Sequence, residues 1–145
     1  VPDNLLPFIT QVAIGKLAKL NIYGNDYSTE DGTCRRDYLH VVDLADGHLS
    51  ALSWLIKEKD FKGIEVFNLG TGKATSVIEI VRAFEKATNI EINYEFSKRR
   101  DGDLDEFWAN TDKAMKILKW STKLSLDKMM QDSWNWQKNN PNGYL

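Results

Sequence analysis

A mixed α/β fold, built from helices and short strands, is what this sequence predicts, and three patterns carry the expectation. Apolar residues recur at helical spacing in "LLPFITQVAIGKLAKL", in Leu44–Lys59 and from Val77 to Phe84. The segment "IEINYEF" alternates instead, with Ile90, Ile92, Tyr94 and Phe96 on one side and Glu91, Asn93 and Glu95 on the other. That is the signature of a strand covered on one face. The stretch "FNLGTGKATSV", Phe67 to Val77, joins a strand-like run to a glycine turn and a helix start.

Taken in order, Asn4 is placed to cap the first helix, with Pro7 in the first turn, where a missing N–H costs nothing. "NIYG" reads as a short strand and "NDYSTEDGTCR" as a turn-rich loop containing Gly32. "RDYLHVV" returns to β-type composition and leads to Asp43, the expected cap of the helix Leu44–Lys59. In that helix Ala45, Leu49, Leu52 and Ile56 mark one apolar face. "IEVFNL" reads as a buried strand. Ser76 and Glu79 have capping-box spacing, and Val77, Ile80, Val81 and Phe84 form the face of the helix that follows. After the charged loop "SKRRDGDLDEF", helices are expected near Asp112–Leu118 and Leu126–Lys138.

With 145 residues, the chain has room for one ordinary core, and we expect a single domain over residues 1–145. A formal net charge of −2 speaks against sequence-independent binding of nucleic acid. No apolar run is long enough to span a membrane. The lone cysteine, Cys34, can form no internal disulfide and gives no sign of an oxidising compartment, so a cytoplasmic protein is expected. The chain opens on Val1 and runs straight into a helical pattern, which points either to processing or to a piece of something longer.

Several motifs invite a chemical reading and lose it on inspection. Gly70-Thr71-Gly72 lacks the third glycine of a dinucleotide fingerprint and the Gly-Lys-Ser/Thr ending of a phosphate loop. Tyr94 and Lys98 have the spacing of a catalytic Tyr-x-x-x-Lys pair but fall on a strand, where four residues span roughly 13 Å; Tyr94 is then expected in the core. "DGDLDE" lacks the glycine and closing glutamate of a calcium loop. His40 and His48 have no second ligand at metal spacing, so no metal site is expected. No catalytic set can be assembled.

What survives is a group of anion-binding pieces. Arg35-Arg36 and Arg99-Arg100 stand in loops, and a guanidinium grips phosphate in a bidentate way. The helix start at Asn4-Leu5-Leu6 adds backbone donors. Asp103, three positions after Arg100, is able to accept both hydroxyls of a ribose. Ordinary surface pairing of these arginines with Asp37, Asp101 and Asp103 explains the same residues equally well. A stand-alone RNA- or phosphate-binding module is a further reading, against which the acidic balance counts.

The motifs "VPDNLLPF", "NIYGNDYSTEDGTCRRDYLHVVDLADGH", "FNLGTG", "KRRDGDLDEFWA" and "DSWNWQKNNPNGY" together carry a resemblance. From first residue to last, the chain resembles the C-terminal part of the UDP-glucose 4-epimerases, of the extended short-chain dehydrogenase superfamily. The resemblance implies a C-terminal, UDP-sugar-binding fragment, inactive alone. Its N-terminal Rossmann domain, with the NAD site and the catalytic residues, would lie outside the chain. It implies an enzyme that interconverts UDP-galactose and UDP-glucose by NAD-dependent oxidation and reduction at the sugar C4, and a homodimeric parent. By position, Asn4 and the backbone of Leu5 would meet the pyrophosphate, while Asn21, Ile22 and Tyr23 would hold the uracil. Arg36 and Arg100 would clamp the diphosphate, Asp103 would bind the ribose, and Phe107 would face the sugar. Phe107 stands where the family commonly has Tyr or a smaller residue, and its bulk implies a preference against N-acetylated sugars. Asp3 stands where Asn is common. A related nucleotide-sugar epimerase or decarboxylase is the alternative.

Overall fold

The computed structural model describes residues 4–143; Asp3 lies outside them. The chain divides into two compact units, the first of residues 1–35, 75–106 and 125–145, the second of residues 36–74 and 107–124.

The first unit is a small parallel sheet with three helices. Strand β1 (Leu20–Tyr23) pairs in parallel with β4 (Tyr94–Ser97), Leu20 opposite Tyr94 and Tyr23 opposite Ser97. Helix α1 (Leu5–Ala13) packs on β1 and on α4 (Leu126–Asn139), which also packs on α3 (Val77–Thr88). Ile9, Leu20, Ile22, Ile80, Val81, Phe84, Ile92 and Met130 are all but fully buried and form its interior. Burial of one such side chain contributes about 1.5–3 kcal/mol, so this core is what holds the unit together. Phe84 and Trp134 meet edge to face, with ring centroids 6.0 Å apart.

Local signals explain most of these boundaries. Asn4 takes the extended conformation of a cap, although its side chain makes no capping hydrogen bond. The helix ends at Ala13, well short of the expected stretch, because Gly15 turns the chain at φ +79°. Ser76 begins α3 with a complete capping box: its hydroxyl accepts from Glu79 N–H, and the Glu79 carboxylate accepts from Ser76 N–H. Ser125 caps α4 through Lys128 N–H. Of the alternating run from Ile90 to Phe96, only Tyr94–Phe96 enter strand β4, and the expected covered face is open there. Ile92 is buried, yet Tyr94 and Phe96 are 40% and 45% exposed and pack on each other edge to face. Tyr94 is therefore not a core residue; β4 pairs with β1 along its edge, and among the described residues this face stays half open.

Three two-residue strands, β2 (Arg35–Arg36), β3 (Thr75–Ser76) and β5 (Glu106–Phe107), follow the order β3-β2-β5. In the first unit Arg35 N–H donates to the Asp105 carbonyl and Val77 N–H to that of Cys34.

The second unit centres on α2 (Val41–Lys57), which packs against a short π-helical turn, Ala114–Leu118. Ala114, Leu118 and Trp120 form its core, covered by Leu39, Ala51, Trp54, Phe67 and Leu69. The helix begins three residues before its expected start. His40, not Asp43, is the cap, with Nδ1 accepting from Val42 N–H. Asp43 is instead buried inside the first turn, where its carboxylate accepts from Lys123 and Leu124 N–H, and its carbonyl from Trp120 Nε1. The "IEVFNL" run is not a buried strand: residues 64–69 have no regular structure, and Ile64 and Val66 are 92% and 66% exposed. Nor does the Leu49, Leu52 and Ile56 face of α2 enter the core, for all three side chains are exposed.

Candidate functional site

In the first unit, the ends of β1 and β4 bring two loops side by side. Gly24 N–H donates to the Ser97 carbonyl just beyond the paired strands. From there residues 24–34 and 98–105 run as neighbours, and polar side chains gather on them. Gly24 has φ +86°, and a Cβ on it would lie 2.4 Å from the Tyr27 ring and 2.7 Å from Arg99 Cγ. Only glycine lets the chain leave β1 with these two groups packed against it.

The two arginines of this loop do different work. The Arg99 guanidinium lies 3.9 Å from the centre of the Tyr27 ring, donates to Asp26 at 2.6 Å, and stands 3.7 Å from Asp105. These partners hold it in place and push its pKa further up, chiefly through the hydrogen bond to Asp26. Among the described residues Arg100, with 59% of its side chain exposed, meets Asp103 at 3.0 Å and the Tyr23 ring at 5.2 Å. Its fork remains open to an incoming anion. Asp103 also accepts from the Tyr27 hydroxyl at 3.4 Å. Burial first, and then the Asp103 carboxylate, raise the Tyr27 pKa, so the phenol stays a donor at neutral pH.

Thus Tyr23, Arg100 and Asp103, three of the residues singled out from the sequence, form one cluster. Asn21 and Ile22 sit on the same strand, Ile22 buried and Asn21 exposed. Asn4 and Leu5 stand at the start of α1, and the Asn4 side chain is not used as a cap. Arg36 and Phe107 belong to the second unit, Arg36 half-buried on β2 and Phe107 62% exposed on β5. Sequence reasoning missed Tyr27, whose ring orders Arg99 and whose hydroxyl holds Asp103. Tyr27 lies inside the motif "NIYGNDYSTEDG", but neither its spacing nor the resemblance gave it a role.

The second unit settles what the glycine turn does. Asp37 Oδ1 accepts from Thr71 N–H at 2.8 Å and Thr71 Oγ1 at 2.5 Å, and Oδ2 from Gly72 N–H at 3.1 Å and Ala109 N–H at 3.2 Å. Gly70 has its α-carbon so near this carboxylate that a Cβ would meet Oδ2 at 2.4 Å. The donors that a pyrophosphate would need are taken by an internal anion. The loop does not fit a dinucleotide, and no step of NAD chemistry is derived from this chain. The two histidines are likewise engaged, His40 as a cap and His48 with the Leu44 carbonyl at 2.8 Å. Among the described residues there is no group of three His, Cys, Asp or Glu side chains placed for a metal ion, and no helix is long and apolar enough to cross a membrane.

Known proteins match nearly the whole of the chain. The UDP-glucose 4-epimerase of Haemophilus influenzae is 54% identical over 144 residues, covering 99% of this chain and 42% of that protein. UDP-glucose 4-epimerase 1 of Oryza sativa is also 54% identical over 144 residues, with 99% and 41% covered. Among solved structures, the UDP-glucose 4-epimerase of Bifidobacterium longum in complex with NAD+ and UDP matches with a TM-score of 0.93 and 45% identity. It covers 99% of this chain and 42% of that one. The chain thus spans less than half the length of these relatives. A family model described as GDP-mannose 4,6 dehydratase matches residues 1–133, and the chain belongs to that family.

Proposed function

We propose that this chain is the UDP-sugar-binding portion of a UDP-glucose 4-epimerase. The cluster of Tyr23, Arg100 and Asp103 carries the reading, because it offers a nucleoside diphosphate its three needs in one place. An aromatic and main-chain edge serves the base, a carboxylate the ribose, and an unclenched guanidinium the phosphates. Identity of 54% to enzymes of that name supports it. Asn4 and the Leu5 backbone would add donors from the start of α1, and Asn21 and Ile22 would frame the base with Tyr23. Arg36 and Phe107 are assigned by the resemblance, to the diphosphate and to the sugar.

In this reading the chain supplies grip remote from the reacting carbon, so that the sugar can turn without leaving. NAD, held by residues outside this chain, would supply oxidation and re-reduction at C4. The working enzyme would be a cytoplasmic homodimer. Titration calorimetry with UDP tests the reading: weak binding to the chain is expected, and Arg100→Ala and Arg36→Ala should each weaken it at least tenfold. UDP affinity equal to the unaltered chain's in Arg100→Ala would overturn the site.

Sugar choice is a second test. An enzyme carrying this chain should turn over UDP-galactose much faster than UDP-N-acetylgalactosamine, and Phe107→Ser should narrow the gap about tenfold, the scale set by a few methylene-sized groups in a pocket. Equal rates before substitution would refute the role given to Phe107.

A further inference from the structure

Tyr27 lies beneath the nucleotide cluster rather than on its surface. The residue is 4% exposed, and its backbone is tied on both sides: its N–H donates to the Gly32 carbonyl, and its own carbonyl accepts from Thr29 N–H. The ring is held as firmly. Arg99 lies 3.9 Å from the ring centre and is itself anchored by Asp26 at 2.6 Å and Asp105 at 3.7 Å. Glycine at position 24 leaves the room that both groups need. A ring locked in this way fixes where its hydroxyl points, and it points at Asp103 Oδ2, 3.4 Å away. Arg100 Nε donates to the same oxygen at 3.0 Å. The two donors differ in permanence. Arg100 has 59% of its side chain exposed, whereas Tyr27 is closed off from solvent. A diphosphate that engages the Arg100 fork draws the guanidinium toward itself. The buried hydroxyl stays where it is.

We propose that Tyr27 is a positioning residue for ribose recognition. It holds the Asp103 carboxylate in the orientation that accepts the 2′ and 3′ hydroxyls together, and so lets the site tell ribose from 2′-deoxyribose. The proposal rests on the reading of Tyr23, Arg100 and Asp103 as a nucleoside diphosphate site. A carboxylate takes two vicinal hydroxyls only while its plane stays aligned with both, and an aspartate side chain turns about two single bonds. If that side chain must be ordered at the moment of binding, the cost offsets what the second hydroxyl contributes. A donor on a buried, ring-stacked phenol sets the alignment beforehand. Burial and the neighbouring carboxylate keep the phenol protonated, so it donates to Asp103 rather than repelling it. For a tyrosine buried only to pack, any acceptor would satisfy the hydroxyl; this one ends on the carboxylate of the cluster.

The test is titration calorimetry with UDP and with 2′-deoxy-UDP. It is run on the chain and on the Haemophilus influenzae relative carrying this chain in place of its matched 144 residues. The unaltered protein should bind UDP about tenfold more tightly than the deoxy compound, the scale of one hydrogen bond to a charged group. Tyr27→Phe keeps the ring over Arg99 and removes only the hydroxyl, and circular dichroism should show it folded. It should weaken UDP about tenfold, change the deoxy compound by no more than about twofold, and so bring the ratio close to one. In an Asp103→Asn background the same substitution should change neither affinity, because the carboxylate it positions is gone. In the graft, KM for UDP-galactose should rise with kcat little changed. Equal loss of both affinities would mean that Tyr27 only packs the two loops, and the proposal would be overturned. No loss at all, or the same loss with and without the Asp103 carboxylate, would overturn it as well. If the unaltered protein binds both compounds equally, the ribose role of Asp103 fails and the proposal with it, while the phosphate grip stands. Absence of UDP binding in both the chain and the graft overturns the nucleotide reading itself, and this proposal falls with it.

Discussion

Asp37 accepts four hydrogen bonds in the second unit, from two backbone amides of the glycine turn, the Thr71 hydroxyl and Ala109 N–H. A carboxylate so placed does for the turn what a bound phosphate does elsewhere, and removing it strands several donors at once. Asp37→Ala should destabilise the protein by about 3 kcal/mol, within the range for breaking a network built on a charged acceptor, as urea denaturation would measure. A loss below about 1 kcal/mol would mean that water replaces the carboxylate. The sequence alone could not choose between this role and surface pairing with an arginine, because Asp37 and the turn are more than thirty positions apart. Arg99 and Arg100 teach the same thing. They are identical as letters, and only the geometry tells that Asp26 and Tyr27 claim the first while the second keeps its fork exposed.

At the scale of elements, the start of α3 shows a local code completed by distant residues. Ser76 and Glu79 close the capping box, and the remaining amides are met by the Cys34 carbonyl and, at 3.4 Å, by Thr33 Oγ1. Asp31 ties the assembly together. It accepts from Thr33 N–H and Oγ1 and from the Ser76 hydroxyl. Burial by itself would raise the Asp31 carboxyl, yet the hydrogen bonds from Ser76 and Thr33 outweigh it and hold the group below the usual carboxylate range. A carboxyl depressed in the folded state stabilises above its unfolded pKa of about 4, and the stabilisation is lost as pH falls through the folded value. Asp31→Asn should therefore cost stability at pH 7 and progressively less as pH falls through the folded value, flattening the acid side of the stability curve. An acid limb parallel to that of the unaltered chain would show that Asp31 stays protonated or unpaired. The capping box was legible because its spacing is fixed within one turn. The His40 cap was not, since histidine is a weak capping signal and Asp43, three residues on, is the stronger one. Likewise "LLPFITQVAIGKLAKL" reads as one long helix until the left-handed Gly15 is allowed to end it.

For the whole molecule, periodicity told which residues are apolar along one face, but not what covers that face. In the first unit the cover is present, and Val77, Ile80, Val81 and Phe84 are as buried as their spacing predicts. In the second unit Leu49, Leu52, Ile56, Ile64 and Val66 follow an equally good pattern and are exposed. The same physics sets the two units' stabilities apart. The first buries a run of large aliphatic and aromatic side chains, including Phe84 at 0% exposure. The second closes only Ala114, Leu118 and Trp120 under half-buried neighbours. With ~25 cal/mol for each Å² of apolar surface removed from water, the second unit has far less to lose on opening. Native-state hydrogen exchange of the chain alone should therefore show α2 amides opening at least about 1.4 kcal/mol more easily than those of α3, a tenfold difference in rate. Three of the tryptophans, Trp54, Trp108 and Trp120, lie in the second unit. Their fluorescence should change at lower urea than the exchange protection of α3 is lost. Coincident transitions for both probes would show one cooperative core, and the second unit would then need no outside cover to be stable.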